Sequence, residues 1–157
     1  MFDQSPAMTL RPIGIVRSDF KEPTSVRLDL TKITAGIEID PELNEALDGL
    51  EGFSHIIVIY WMHRAVFDNK RLKTYPMGNT AAGLKGMFAV RTPHRPNTLG
   101  LSTVKLLERR GNILYVQGLD AIDGSVVVDI KPYIPGYDSA SNPSVPDWVK
   151  IGKENIT

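Results

Sequence analysis

Two arginines, a histidine and an asparagine stand within seven residues in Arg91-Thr-Pro-His-Arg-Pro-Asn97, and the stretch continues through Thr98-Leu-Gly-Leu-Ser102. A guanidinium takes a carboxylate or phosphate through two parallel hydrogen bonds, so Arg91 and Arg95 suit an anionic or nucleotide-like ligand. Pro93 and Pro96 fix their own φ and drive Thr92 and Arg95 towards extended geometry, which makes the loop stiff. A stiff cationic loop binds with little ordering cost. The plainer account is a turn that uses Pro and Gly for geometry alone, with both arginines solvated. Asp120 and Asp123 form a second candidate pair. They are either turn residues bonding to backbone or carboxylates facing a ribose or an ammonium group. His63-Arg64 closes a long apolar run. His55 and His63 are eight residues apart, roughly 26 Å along a strand, too far to share an ion. With no cysteine in the chain, no metal is expected.

These groups need elements to hold them, and the pattern is one of short strands. Leu10–Ser18 reads as a first strand, with Ile13 and Ile15 on one face. Phe20–Thr34 reads as a loop able to lie across a ligand site. Gly36-Ile-Glu-Ile-Asp40 alternates as a half-buried strand does. Asp40-Pro41-Glu42 has the signature of a helix start, and Leu43, Leu47 and Leu50 follow at helical spacing, with Gly49 available as a stop. This short helix is expected to plug one side of a barrel. Ser54–Met62 is nearly all apolar or β-branched, as in a central strand covered on both sides. Residues 68–83 form a long polar loop, and Gly86–Thr92 reads as a strand feeding the proline loop. Leu101–Arg109 and Ile113–Leu119 form a hairpin about Arg110-Gly111-Asn112, and Asp123-Gly124 is a second hairpin turn leading into Val126–Ile130. Asp129 and Lys131 read as a structural ion pair. The tail after Tyr137 is expected to dock by Trp148 and Val149. The expected fold is therefore mainly β: one compact β-barrel over residues 1–137 with a short helix and long loops, and a tail over 138–157 packed on it.

Length and composition fit one globular domain: 157 residues, 42% hydrophobic and 23% charged. No apolar run approaches a membrane span, and the N-terminus does not read as a signal peptide, so a cytoplasmic location without membrane contact is expected. Formal net charge is zero, but it is unevenly spread. Glu38 to Glu51 holds six carboxylates and no Lys or Arg, whereas Arg64 to Arg95 holds seven cations against Asp68 alone. Local potential, not net charge, attracts phosphate. Gly78-Asn-Thr-Ala-Ala-Gly83-Leu-Lys85 lacks the lysine placement of a phosphate loop, and no Gly-x-Gly-x-x-Gly follows a strand.

Four blocks in order carry a family resemblance: Gly52-Phe-Ser-His-Ile-Ile-Val-Ile-Tyr-Trp-Met-His-Arg64, Gly86-Met-Phe-Ala-Val90, the proline loop, and Gly118-Leu-Asp-Ala-Ile-Asp-Gly-Ser-Val-Val-Val-Asp-Ile-Lys-Pro-Tyr133. Over about residues 13–137 the chain resembles the small family of β-barrel tRNA methyltransferases that use S-adenosyl-L-methionine. Its well-described members methylate N6 of threonylcarbamoyladenosine at tRNA position 37. The resemblance implies a homodimer with cofactor sites near the subunit interface. It implies cofactor contacts from His63, Arg64, Arg91, Leu101 and the run Gly118, Leu119, Asp120, Ala121, Ile122 and Asp123. On this reading Asp120 or Asp123 accepts a proton, and Lys73, Arg95, Asn97 and Tyr133 meet the anticodon loop of the tRNA. Thr98-Leu99 replaces the family's Pro-Ile and is expected to loosen the turn. Glu22–Arg27 does not reproduce a Pro-x-Gln element of the pocket wall. Longer bacterial relatives carry a further C-terminal domain, so RNA docking is expected to differ. Two other readings stand beside this one: a non-enzymatic RNA-binding barrel, and a methyltransferase with a non-tRNA acceptor.

Overall fold

The computed structural model describes residues 8–23 and 29–151. Most of the divergent loop, residues 24–28, lies outside them, as do the N-terminal stretch and the last residues of the tail. Six antiparallel strands close into a barrel: β1 (Gly14–Arg17), β2 (Thr34–Ile39), β3 (His55–Trp61), β6 (Leu99–Arg110), β7 (Ile113–Gln117) and β8 (Val126–Pro132). Their order around the wall is β1-β2-β7-β6-β3-β8. Closure leaves no unpaired edge. A two-residue ladder, β4 (Lys73–Thr74) with β5 (Lys85–Gly86), stands outside it. Two short helices, α1 (Pro135–Asp138) and α2 (Asp147–Ile151), follow β8.

Period-two alternation fills the interior. Val16, Ile37, Ile56, Val58, Val104, Leu114, Val116 and Val127 are all essentially without exposure. Each such side chain contributes roughly 1.5–3 kcal/mol relative to an exposed position. β1 is shorter than the sequence suggests, and its core residue is Val16, while Ile13 and Ile15 are only partly covered. β3 is buried on alternate residues, not on both faces. Ile56, Val58 and Tyr60 point inwards, and Trp61 is exposed on the outside.

The expected helix forms as a 3-10 helix, Pro41–Leu47, capped by the Asp40 side chain accepting from the Glu42 N–H at 3.0 Å. Leu47 joins the core, with Leu43 and Leu50 packed against it, so the element does close one barrel end. Arg109 clamps it there, bonding to the Asp48 carboxylate at 2.9 Å and the Asn44 carbonyl at 3.1 Å. Two expectations fail. Gly86–Thr92 is not a strand: after β5 the chain makes a 3-10 turn, Met87–Ala89, whose Met87 is buried as an anchor. Asp123-Gly124 is a turn but not a hairpin. The strands it separates, β7 and β8, do not pair; β8 lies between β1 and β3. The segment between them crosses the other barrel end, which is why Leu119, Ala121 and Ser125 are buried.

Candidate functional site

The register of β3 against β6 sets Tyr60 opposite Gly100. Tyr60 is only 4% exposed, and its ring lies where a side chain at position 100 would be: a Cβ there would stand 2.4 Å from the ring. Glycine is the one residue that lets the ring cross. The Tyr60 hydroxyl then donates to the Asp120 carbonyl and stands 3.4 Å from the Ser102 hydroxyl. Burial, with help from the Asp120 charge, raises the Tyr60 pKa above its ordinary value, against lowering by the Ser102 hydrogen bond and Arg91. It therefore stays protonated and remains a donor. From the outer side Arg91 donates to the Leu101 carbonyl at 2.9 Å, and Leu101 itself is 48% exposed. Three stretches distant in sequence thus meet at one barrel end: the end of β3 at Tyr60, the run from Arg91 to Leu101, and Leu119–Asp120.

The two aspartates part company here. Asp123 accepts from the Ser18 N–H at 3.0 Å and pairs with Lys21 at 3.0 Å. The backbone bond from Ser18 first, and Lys21 second, hold its carboxyl below the usual range. That makes it a strut and a poor base. Asp120 is exposed, and its carboxylate has no partner among the described residues. Gly118 takes a left-handed turn (φ +96°) and donates to the Ile33 carbonyl at 3.0 Å. Ile122 is half-buried and its carbonyl accepts from Ser125.

The remaining expected residues divide. His63, just past β3, stacks edge-on with Trp61, and its Nδ1 is buried with no hydrogen-bond partner among the described residues. Arg64 pairs with Glu22. Arg95 is turned into its own loop, donating to the Val90 carbonyl at 2.9 Å and the Met87 carbonyl at 3.2 Å. His94 bonds to the Val66 carbonyl at 2.9 Å, tying the loop to the start of the long excursion between β3 and β6. Asn97 and Lys73 are exposed. Thr98 does not leave the turn loose: its hydroxyl accepts from the Trp61 indole at 2.8 Å and its carbonyl from the Met62 N–H at 2.8 Å. Tyr133 is not brought to this end. Its N–H bonds to the His55 carbonyl, its hydroxyl lies 2.7 Å from that of Ser139, and His55 is at the far end of β3. That strand separates it from Trp61 by roughly 20 Å. Asp129 and Lys131 do pair, at 2.7 Å.

Tyr60 and Ser102 were hidden in the sequence. Tyr60 sits in an apolar run and reads as core; the only signal is that a buried tyrosine hydroxyl needs a partner. Two clefts lie elsewhere. One of about 600 Å³ opens beside Leu43, Leu50, Phe53 and Ile130, and a more open one of about 460 Å³ lies between Arg17, Lys21, Tyr115 and Asp123. Neither is lined by Arg91, Leu101 or His63. Among the described residues no group of three His, Cys, Asp or Glu could hold a metal ion, and no helix is long and apolar enough to cross a membrane.

Residues 15–139 match the model of the tRNA-methyltransferase O N-terminal domain. The chain belongs to that family. A Methanothermobacter thermautotrophicus protein described as a probable S-adenosyl-L-methionine-binding protein is 46% identical over 132 residues, 83% of this chain and 93% of its own. A mouse tRNA (adenine(37)-N6)-methyltransferase is 43% identical over 114 residues, 73% of this chain but 26% of its own. The crystal structure of tRNA-methyltransferase O from Pseudomonas aeruginosa superposes with a TM-score of 0.72 at 31% identity, covering 88% of this chain and 61% of that one. The chain thus spans about three fifths of the solved family member it matches. The family's N-terminal domain coincides with the barrel described above.

Proposed function

We propose that this chain binds S-adenosyl-L-methionine at the barrel end built on Tyr60, Leu101 and Asp120, and methylates N6 of an adenosine at position 37 of tRNA, threonylcarbamoyladenosine being the preferred acceptor. The supporting observation is the convergence of Arg91 and Asp120 on the paired ends of β3 and β6, through the Leu101 carbonyl and the Tyr60 hydroxyl. The donor set fits the ligand. Arg91 offers a cation for a carboxylate, Leu101 an apolar wall, His63 a buried nitrogen awaiting a partner, and the Gly118–Asp120 backbone a second wall. When bound, S-adenosyl-L-methionine supplies a methyl group already activated on a sulfonium.

The protein's own task is placement and proton removal. The acceptor nitrogen of a carbamoylated adenine has a delocalised lone pair, so a base that takes its proton helps. Asp120 is assigned that role, and Asp123 is not, because its carboxylate is committed to Ser18 and Lys21. Lys73 and Asn97 are placed on the RNA side. The site is an open face on one chain, which a second copy would enclose, so a homodimer joined across the exposed Trp61 and Leu101 belongs to the proposal. So do a cytoplasmic location, where tRNA is available, and a tail held to the domain through Trp148, which Lys85 of the β4–β5 ladder approaches at 5.7 Å.

The test is a calorimetric titration with S-adenosyl-L-methionine, followed by nucleoside mass spectrometry of tRNA incubated with protein and cofactor. Cofactor binding with a 14-dalton gain on adenosine 37 is the expected result. RNA binding without cofactor binding would leave the non-enzymatic barrel as the reading.

A further inference from the structure

The excursion between β3 and β6 carries a feature the methyl-transfer reading does not use. Met87 is buried under the β4–β5 ladder, its N–H bonded to the Leu72 carbonyl at 3.0 Å, and this turns the next residue, Phe88, outwards to 77% exposure. A single exposed phenylalanine means little by itself. This one is mounted. Arg95 stands 5.6 Å behind the ring and is itself held by the carbonyls of Met87 and Val90. One face of the ring is thus backed by a fixed cation, and the residue is otherwise largely exposed among the described residues.

Its surroundings say what the ring meets. Arg91, whose guanidinium reaches Leu101, is three residues on, at most about 11 Å away along the chain. Lys73 pairs with Gly86 in the ladder, two residues before Phe88. The ammonium groups of Lys70 and Lys73 have no carboxylate partner among the described residues; the one carboxylate of the excursion, Asp68, accepts from the Lys70 backbone N–H at 2.9 Å and lies 3.8 Å from Arg71. Protein interfaces deplete lysine at their apolar centres. Surfaces for single-stranded nucleic acid instead combine free cations with rigid aromatic faces.

We infer that Phe88, braced by Arg95, is the stacking platform for an unpaired nucleobase of the substrate RNA next to the one methylated, with Lys70 and Lys73 holding the flanking phosphates. This rests on the tRNA-methyltransferase reading and assigns Arg95 to the platform, where the sequence suggested a direct RNA contact.

The experiment uses an anticodon stem–loop oligonucleotide with 2-aminopurine beside position 37, titrated into wild-type, Phe88→Ala and Phe88→Trp protein. Affinity for S-adenosylhomocysteine and sedimentation are measured in parallel. Phe88→Ala is expected to weaken RNA binding about 10-fold or more and to abolish the 2-aminopurine quench. Phe88→Trp is expected to keep both, and neither variant is expected to change cofactor affinity or oligomeric state. RNA affinity and quench within twofold of wild type in Phe88→Ala overturn this inference alone. Loss of the dimer in that variant overturns it in favour of a protein–protein surface. Wild-type protein that binds cofactor but no RNA overturns it together with the reading beneath it.

Discussion

Asp120 and Asp123 are three residues apart and chemically alike, yet their surroundings give them opposite work. Asp123 gains a backbone donor and an ammonium on folding, so its pKa falls below the unfolded value near 4. The unfolded chain then binds more protons through that range, and stability rises with pH across it. The contribution is complete above about pH 4 and is lost as pH falls through the lowered folded value. Asp123→Asn should therefore lower Tm at pH 7, with the gap to wild type closing on acidification below the carboxylate range. A gap that persists at low pH would mean the loss is packing and not charge. Asp120→Asn should leave Tm and cofactor affinity in place and reduce kcat about 10²–10⁴-fold. Unchanged turnover removes Asp120 as proton acceptor.

At the scale of elements, the junction of β3 and β6 decides the site's dimensions, because Tyr60 spans it only where residue 100 has no side chain. Gly100→Ala should cost about 1–3 kcal/mol by overpacking. Tyr60→Leu shortens the ring's reach and frees that space, so the double variant should be less destabilised than the sum of the singles by about 1 kcal/mol. Denaturant unfolding of the four proteins reads the coupling, and strict additivity would show that the ring and the glycine do not meet. The same junction marks the limit of what sequence alone conveys. Alternation in Gly36–Asp40 and the Gly111 turn are local, so most of β2 and the β6–β7 hairpin were legible for that reason, although β2 starts at Thr34, inside the segment read as a loop. The barrel order was not, since β8 returns between β1 and β3 and no local pattern records a pairing across so many residues. Arg91 stood out as a cation opening a proline-braced loop, whereas Leu101 reads as core by itself and was reached only through the family resemblance. Arg95 looked equally free because its partners are carbonyls of its own loop, and carbonyls leave no trace in composition. Gly86–Thr92 misled for a related reason: Met87 and Val90 look strand-like, but Met87 is buried as the anchor of a turn.

Across the whole molecule a net charge of zero conceals a separation of charge. The acidic 3-10 segment Pro41–Leu47 is clamped to the Arg109 end of β6, and the cationic excursion enters at the Leu99 end. Those ends are 11 residues apart, roughly 35 Å along the strand, several screening lengths at physiological salt. An RNA at the cationic end therefore feels little of the acidic cap. Phosphate contacts release counterions, and each lost contact should make the salt dependence of binding shallower by about one unit. Lys70→Glu with Lys73→Glu should accordingly weaken stem–loop binding and flatten the slope of log affinity against log salt by about 2. Glu42→Lys with Glu45→Lys raises the net charge yet adds nothing near the RNA, so affinity and slope should stay close to wild type. If reversing the acidic cap strengthens binding as much as the lysine reversals weaken it, total charge governs the encounter and the polar arrangement of the barrel has no part in it.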